Sequence, residues 1–130
     1  LDEVAAASKD GHATILDVRP AAAFAGENQT EARGGHVQNA INRPYLQDVV
    51  VNDAGVAWRP LDELAREYEA LGITRDRPVI VACRTGHQAA QTWFLLRVLL
   101  GRSDVRWYDG SWQEWAAHPE LPAATGEEKR

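Results

Sequence analysis

One short stretch constrains the fold more than any other, because a strand, a tight loop and a helix start follow one another in it directly. It runs from Val79 to Ala90 and reads VIVACRTGHQAA. An apolar run leads into Cys83, the only cysteine of the chain, and an alanine pair opens an apolar helical segment. A helix N-terminus presents unpaired N–H groups and about half a positive charge, so it favours an anion close to its first turn. The stretch therefore indicates a position that favours a thiolate at Cys83.

Two interpretations of Cys83 remain open at this level. A lone free cysteine commonly packs as a small apolar residue. Against this, Gly86 permits the loop to curl so that several backbone N–H groups point at the sulfur and form an anion-binding nest. Because Arg84 also stands next to Cys83, the pattern favours an activated nucleophile.

The remaining elements alternate between strand and helix patterns. Apolar runs predict strands at 13–18, 79–82 and 105–108, with a minimal strand at 40–41. Apolar spacing and capping residues predict helices at 1–9, 20–24, 60–71, 89–100 and 112–117. Parallel strands need crossover connections, which are usually helical. The chain is therefore predicted to be a single three-layer α/β/α domain around a central, mostly parallel sheet of about five strands.

Several local expectations accompany this fold. The helix at 89–100 is apolar on most faces, which predicts near-complete burial. Ser111 with Glu114 three residues later has the pattern of a capping box. Residues 26–38 are polar and glycine-rich, which is typical of a long surface loop. Residues 46–58 fit either a hairpin that turns at 52–55 or a loop packed on the core.

Length and charge limit the classes of function. A chain of 130 residues fits one domain, predicted at 1–121, with a polar, frayed tail at 122–130. The formal charge of -5 gives no footprint for nucleic acid or for an anionic membrane, and neither is expected as a partner. A single cysteine allows no internal disulfide, which is compatible with a cytoplasmic location, or a periplasmic one if Leu1 marks a processed N-terminus.

The residues that follow the predicted strands define a candidate site. Arg19 follows the first core strand and Cys83 follows another. Ligands of such sheets bind outside the carboxyl ends of the strands, so both residues are expected at one site. Arg19 has a structural alternative, an ion pair with Asp17 or Glu27.

The spacing after Cys83 separates two chemistries. Cysteine phosphatases place an arginine after five intervening residues, because its guanidinium clamps the phosphate oxygens in bidentate geometry. In this chain that position is Ala89. A persulfide is therefore favoured over a phosphoryl or arsenate adduct, and a cysteine phosphatase or arsenate reductase is kept as an alternative.

Four motifs resemble those of the rhodaneses, a family of sulfurtransferase domains, from Leu1 to about Leu121. They are LDVR at 16–19, GGHVQNAINRP at 34–44, CRTGHQ at 83–88 and YDGSWQEW at 108–115. The last also resembles the second, catalytic half of tandem rhodaneses. The resemblance implies that Cys83 carries sulfane sulfur as a persulfide and moves it from thiosulfate or a similar donor to cyanide or a thiol acceptor, in two displacement steps.

The resemblance also implies roles for the neighbours of Cys83. Arginine directly after the cysteine is typical of thiosulfate-type members, whereas mercaptopyruvate-type members have glycine there. Thr85 stands where the best-known thiosulfate enzymes often have lysine, which removes a positive charge. The implied substrate-binding residues are Arg19, Arg84, Thr85, Gly86, His87 and Gln88. No proton-transfer role is assigned to His87.

Other polar and aromatic residues are interpreted as structural. His36 is expected to hydrogen-bond the loop before the second strand, and partner ligands for a metal are not seen, so no metal and no cofactor is predicted. Trp107, Trp112 and Trp115 are expected to pack in the core and its lid. An alternative to an enzyme with small-molecule donors is a persulfide carrier or regulatory module that accepts sulfur from a partner protein such as a cysteine desulfurase.

Overall fold

The computed structural model describes residues 1–27, 31–74 and 77–126. Its helices are α1 (Asp2–Asp10), α2 (Ala21–Ala25), α3 (Leu61–Ala70), α4 (His87–Phe94) and α5 (Ser111–Ala116). Its strands are β1 (Thr14–Asp17), β2 (His36–Val37), β3 (Ile41–Asn42), β4 (Val49–Asn52), β5 (Gly55–Trp58), β6 (Val79–Ala82), β7 (Val105–Trp107) and β8 (Ala123–Ala124). A 3-10 turn covers Tyr45–Asp48, and a π-helical turn covers Leu95–Leu99.

The central sheet is parallel throughout, in the order β3-β1-β6-β7. In its register Leu16 lies beside Ile41 on one side and Val81 on the other. The predicted α/β class with a parallel sheet is confirmed, with four strands rather than about five. The count differs because the remaining strands form two small antiparallel pairs, β2 with β8 and β4 with β5.

Helices cover both faces of this sheet, as the three-layer prediction requires. Side chains alternate between the faces along a strand, and each face has its own buried cluster. The first cluster joins Ile15 and Ile80 to α1, α2 and α5, through residues such as Val4, Phe24 and Trp115. The second joins Leu16 and Val81 to α3 and α4, through residues such as Leu64, Tyr68 and Ala89. Cys83 belongs to the second cluster.

The helix after Cys83 differs from the prediction in its start and in its burial. It begins at His87 instead of Ala89, because Gly86 with φ 100 ends the loop and becomes the residue before the helix. Phe94 and Val98 are exposed, so the expectation of near-complete burial is wrong. The helix packs one face on the sheet, and residues four apart on the opposite face remain in solvent.

The structure decides between the two interpretations of residues 46–58 and differs from the prediction of a frayed tail. Asn52 to Gly55 connects β4 to β5 as a turn, so the hairpin interpretation of residues 46–58 is confirmed. In the predicted frayed tail, Ala123–Ala124 instead pairs antiparallel with β2, and the Gly126 N–H donates to the Ala25 carbonyl. This pairing is a backbone interaction that the polar composition does not reveal. Residues 127–130 lie outside the described residues, as do residues 28–30 of the predicted loop.

Across the part of the chain that the structure describes, no helix is both long enough and apolar enough to span a bilayer.

Candidate active site

Cys83 directly follows β6 at the carboxyl edge of the parallel sheet, close to the first turn of α4. Its side chain is 1% exposed, and its Sγ accepts a hydrogen bond from the Gly86 N–H at 3.0 Å. The sequence predicts several backbone N–H groups pointing at this sulfur. Among the described residues, the Gly86 N–H is the backbone group that donates to it. The loop therefore directs a backbone N–H and a helix N-terminus towards the same sulfur, and both favour negative charge.

The cysteine loop is held in place by the segment that follows β7. The N–H groups of Trp112 and Gln113 donate to the carbonyls of Cys83 and Arg84 at 2.9 and 3.0 Å. The Trp107 indole N–H donates to the Gly86 carbonyl at 3.0 Å. A Cβ on Gly86 would lie 2.7 Å from the Asp109 carbonyl oxygen. The loop thus has little room to move, and its conformation depends on the segment from 107 to 113.

Ser111 is a site residue that sequence reasoning missed. Its Oγ accepts from the Cys83 N–H at 3.0 Å, donates to the Tyr108 carbonyl at 2.8 Å and lies 4.0 Å from the Cys83 Sγ. The predicted capping box is therefore wrong, since this hydroxyl bonds the cysteine loop and makes no cap contact. The available signal was the position of Ser111 inside the fourth motif.

Glu114, the other member of that predicted box, has a different partner. Its Oε1 accepts from the Tyr108 hydroxyl at 2.7 Å. Burial, together with the neighbouring Glu114 carboxylate, raises the pKa of Tyr108 well above its ordinary value. The hydroxyl therefore stays protonated and fixes the turn that carries Ser111.

Arg19 lies at the same sheet edge, but its guanidinium is engaged by protein groups. Its Nη2 lies 2.7 Å from an Asp17 carboxylate oxygen, and both side chains are 5% exposed. Nη2 also donates to the Gly35 carbonyl at 2.6 Å, and the guanidinium lies 5.1 Å from the centre of the Trp112 ring. The structure thus forms the ion pair with Asp17 that was the alternative for this residue, and contact with a substrate anion stays a prediction.

Arg84 differs from Arg19 in its surroundings. Its side chain is 54% exposed, and its Nε pairs with the carboxylate of Glu31, whose side chain is 10% exposed. Thr85 and Gln88 are half-buried, Gly86 is buried and His87 is exposed. The predicted residues 83–88 therefore lie together in one loop and helix start, and Glu31 joins them from a distant segment.

The segment that carries Glu31 is attached to α5 by Arg33. The Arg33 guanidinium donates to four carbonyls, those of Trp115 and Ala116 at the end of α5 and those of His118 and Leu121 beyond it. In return the Trp112 indole N–H donates to the Arg33 carbonyl at 3.1 Å. Residues 31–35 are thus fixed beside the cysteine loop.

The remaining predicted residues have structural contacts. His36 is fully buried, its Nδ1 lies 2.7 Å from the Phe24 carbonyl oxygen, and its ring stacks on Phe24 at 3.6 Å. Trp112 and Trp115 are buried as expected, whereas Trp107 is 45% exposed. Ala89, at the position where a phosphatase has arginine, is buried in the first turns of α4. Among the residues described, no three potential metal ligands come together.

The fold and the loop define the class: a parallel α/β domain with a buried cysteine between a central strand and a helix N-terminus. The model of the rhodanese-like domain matches residues 1–118. The chain belongs to the rhodanese-like domain family, which confirms the resemblance of its four motifs.

Curated relatives and solved structures agree with this assignment. The chain is 37% identical to the sulfur carrier protein TtuD of Thermus thermophilus and 38% identical to a thiosulfate sulfurtransferase of Corynebacterium glutamicum. Each match covers 92% of this chain but only 44% and 41% of those proteins, so the chain spans less than half the length of either relative. An anaerobic ergothioneine biosynthesis enzyme from Chlorobium limicola superposes with a TM-score of 0.84 at 25% identity, over 97% of this chain and 31% of that one.

Proposed function

We propose that this domain is a sulfurtransferase in which Cys83 carries sulfane sulfur as a persulfide. The observation that carries the proposal is the Gly86 N–H directed at the Cys83 Sγ at 3.0 Å, beside the N-terminus of α4. This arrangement favours negative charge on the Cys83 sulfur, which is the attacking thiolate when the persulfide forms and the departing thiolate when it is consumed. Two relatives named as a sulfur carrier and a thiosulfate sulfurtransferase support the same class of reaction.

The two steps balance without any cofactor. The Cys83 thiolate attacks the outer sulfur of thiosulfate, a new S–S bond forms, and sulfite leaves with the electron pair of the old S–S bond. Cyanide or a thiolate then attacks the terminal sulfur of the persulfide and forms thiocyanate or a new persulfide. The Cys83 thiolate departs with the electron pair, so the enzyme returns to its first state.

Arg84 is proposed as the main contact for an anionic donor. Its side chain is more than half exposed, whereas that of Arg19 is buried and paired with Asp17. Thr85, Gly86, His87 and Gln88 lie in the same loop and helix start, and Thr85 adds no charge. Donors with a sulfonate group therefore meet one accessible guanidinium at this loop.

The test is the intact mass of the protein after incubation with thiosulfate. We expect a gain of one sulfur atom, its loss on addition of cyanide, and neither change in Cys83→Ala. Thiocyanate formation in Cys83→Ala should fall by at least about 10³-fold, since the covalent route is lost. Thiocyanate formation that survives this substitution contradicts the proposal.

A second candidate is a persulfide carrier that is loaded by a partner protein. It is favoured by the relative that is named a sulfur carrier protein. In this case the isolated domain takes up sulfur from a cysteine desulfurase with its substrate cysteine, but it turns over no small donor. If the isolated domain turns over thiosulfate without a partner protein, at a rate typical of enzymes, the carrier hypothesis is wrong.

A further inference from the structure

We infer that Glu31 determines the charge selectivity of the candidate site, because its carboxylate holds the Arg84 guanidinium that an anionic donor needs. A doubly charged donor such as thiosulfate then has to compete with a carboxylate of the protein itself. The inference rests on the proposed function of Cys83 and concerns which donors load it. Glu31 lies in none of the four motifs.

The arginines around Cys83 are each engaged by acceptors of the protein. Arg84, the only Arg, Lys, Asp or Glu residue from 83 to 88, pairs with Glu31. Arg19 pairs with Asp17. Arg33 donates to backbone carbonyls at the end of α5. Two of these cations are thus neutralised by carboxylates, and the site does not attract a dianion as an unpaired arginine would.

The position of Glu31 is set by the fold. Two residues further along the chain, Arg33 donates to carbonyls at the end of α5 and just beyond it, and the Gly35 carbonyl accepts from Arg19. The Glu31 side chain is only 10% exposed, although its partner Arg84 is 54% exposed. Because the carboxylate is already ordered, pairing costs less side-chain entropy than in an ordinary surface ion pair.

The charge of the donor decides how strongly Glu31 acts. While the Glu31 carboxylate neutralises the Arg84 guanidinium, a donor loses the attraction of that cation, and this loss grows with the charge of the donor. Thiosulfate carries two negative charges and benzenethiosulfonate carries one, yet both deliver sulfane sulfur and yield thiocyanate with cyanide. Glu31 therefore raises the KM for thiosulfate more than the KM for benzenethiosulfonate.

The experiment measures kcat and KM for both donors in the unmodified chain and in Glu31→Gln. We expect the KM for thiosulfate to fall about fivefold and that for benzenethiosulfonate to fall less than about twofold. The kcat values should stay within about twofold, since the neutral amide changes donor binding and leaves the sulfur chemistry in place. If Glu31 were purely structural, Glu31→Gln would lower kcat or the amount of folded protein, and the KM values of the two donors would not change by different factors.

Two controls separate the Arg84 contact from general charge effects. Glu27→Gln removes an exposed carboxylate of the same loop and should leave both KM values unchanged. In an Arg84→Gln background, Glu31→Gln should lower the thiosulfate KM by less than about twofold, because the guanidinium that it frees is absent. The inference is overturned by any of three results. The thiosulfate KM falls as much in Glu27→Gln as in Glu31→Gln, the KM values of both donors fall equally in Glu31→Gln, or Glu31→Gln lowers the thiosulfate KM as much in the Arg84→Gln background as in the unmodified chain.

The outcomes also distinguish this inference from the proposed function. If Cys83 of the unmodified chain takes up sulfur from neither donor nor from a desulfurase, the proposed function fails. If the unmodified chain turns over both donors and the ratio of their KM values is the same in Glu31→Gln, only the inference on Glu31 fails. Should circular dichroism show that Glu31→Gln is unfolded, Glu31→Asp gives the same comparison with a carboxylate too short for Arg84, and an unchanged ratio there overturns the inference.

Discussion

Two loops leave the same edge of the sheet and are stabilised in different ways. After β6, the carbonyls of Cys83 and Arg84 accept from the N–H groups of Trp112 and Gln113, and the Cys83 N–H donates to the Ser111 hydroxyl. After β3, the chain at Arg43 is held by its side chain, which pairs with Asp48 and Glu67 at 2.9 Å each. The first loop is fixed through its backbone, whereas the second is fixed through its backbone and also through buried side chains.

In the second loop, each buried charged group has hydrogen-bond partners within the protein. Asp48 is fully buried and accepts from both Arg43 and the Tyr68 hydroxyl, the latter at 2.5 Å. Burial, and then the Asp48 carboxylate, raises the pKa of Tyr68 above its ordinary value, so its hydroxyl remains a donor. An arginine after a strand is therefore a poor guide to a binding site until its burial is known. Arg19 resembles Arg43 in this respect, and Arg84 does not.

The largest expected effect is a loss of stability in Asp48→Ala, and it tests whether the second loop contributes to folding and not to sulfur transfer. Asp48→Ala leaves Arg43 and Tyr68 without their buried acceptor, which should lower the free energy of unfolding by about 4 kcal/mol. Urea denaturation measures this change. Asp53→Ala, at the exposed turn of the hairpin, is the control and should change stability by less than about 0.5 kcal/mol. Loss of sulfur transfer per folded molecule in Asp48→Ala would contradict the division between the two loops.

The next effect concerns the backbone of the first loop. Gly86→Ala places a Cβ 2.7 Å from the Asp109 carbonyl oxygen at φ 100, which combines backbone strain with a clash and should cost about 3 kcal/mol. The displaced N–H of residue 86 should also reduce sulfur transfer at least about tenfold. In Gly72→Ala, with φ 88 and no atom within 4 Å, we expect about 1 kcal/mol and unchanged activity. Equal activity of the two variants would show that the Gly86 N–H is dispensable.

The smallest effect is the pH dependence of an ion pair at the border of the second loop. Hydrogen bonds from Arg59 and then Arg43 lower the pKa of Glu67 from 4.5 to about 2. Because the folded-state pKa is lowered, Glu67 contributes stability that is complete above about pH 4.5 and is lost as the pH falls towards 2. Glu67 is partly exposed, so the contribution is small.

Glu67→Gln and the unmodified chain should therefore differ most in urea midpoint near pH 7, and the difference should shrink by pH 3. A difference that is constant or grows with acidification would mean that Glu67 acts by packing and not by charge.

Local signals predicted the elements that local physics controls. The strand at 79–82 agrees with β6, and Pro60 and Gly72 bracket α3 at Leu61–Ala70 as their backbone preferences require. The burial of α4 was overestimated because the sheet covers only one face of the helix, so Phe94 and Val98 remain in solvent. Ser111 was misread as a cap because its hydroxyl turns to Cys83, a contact that helix patterns do not contain.

By itself, the sequence determined the order of strands and helices, the parallel sheet, and the place of Cys83 between a strand and a helix N-terminus. These follow from periodicity and from glycine and proline preferences, which act over a few residues. Only the tertiary structure decided which carboxylate each arginine meets: Asp17 for Arg19, Asp48 for Arg43 and Glu31 for Arg84. Arg84 and Glu31 are 53 residues apart, so local patterns do not predict their pairing. It depends on Arg33, which fixes the segment around Glu31 beside the end of α5.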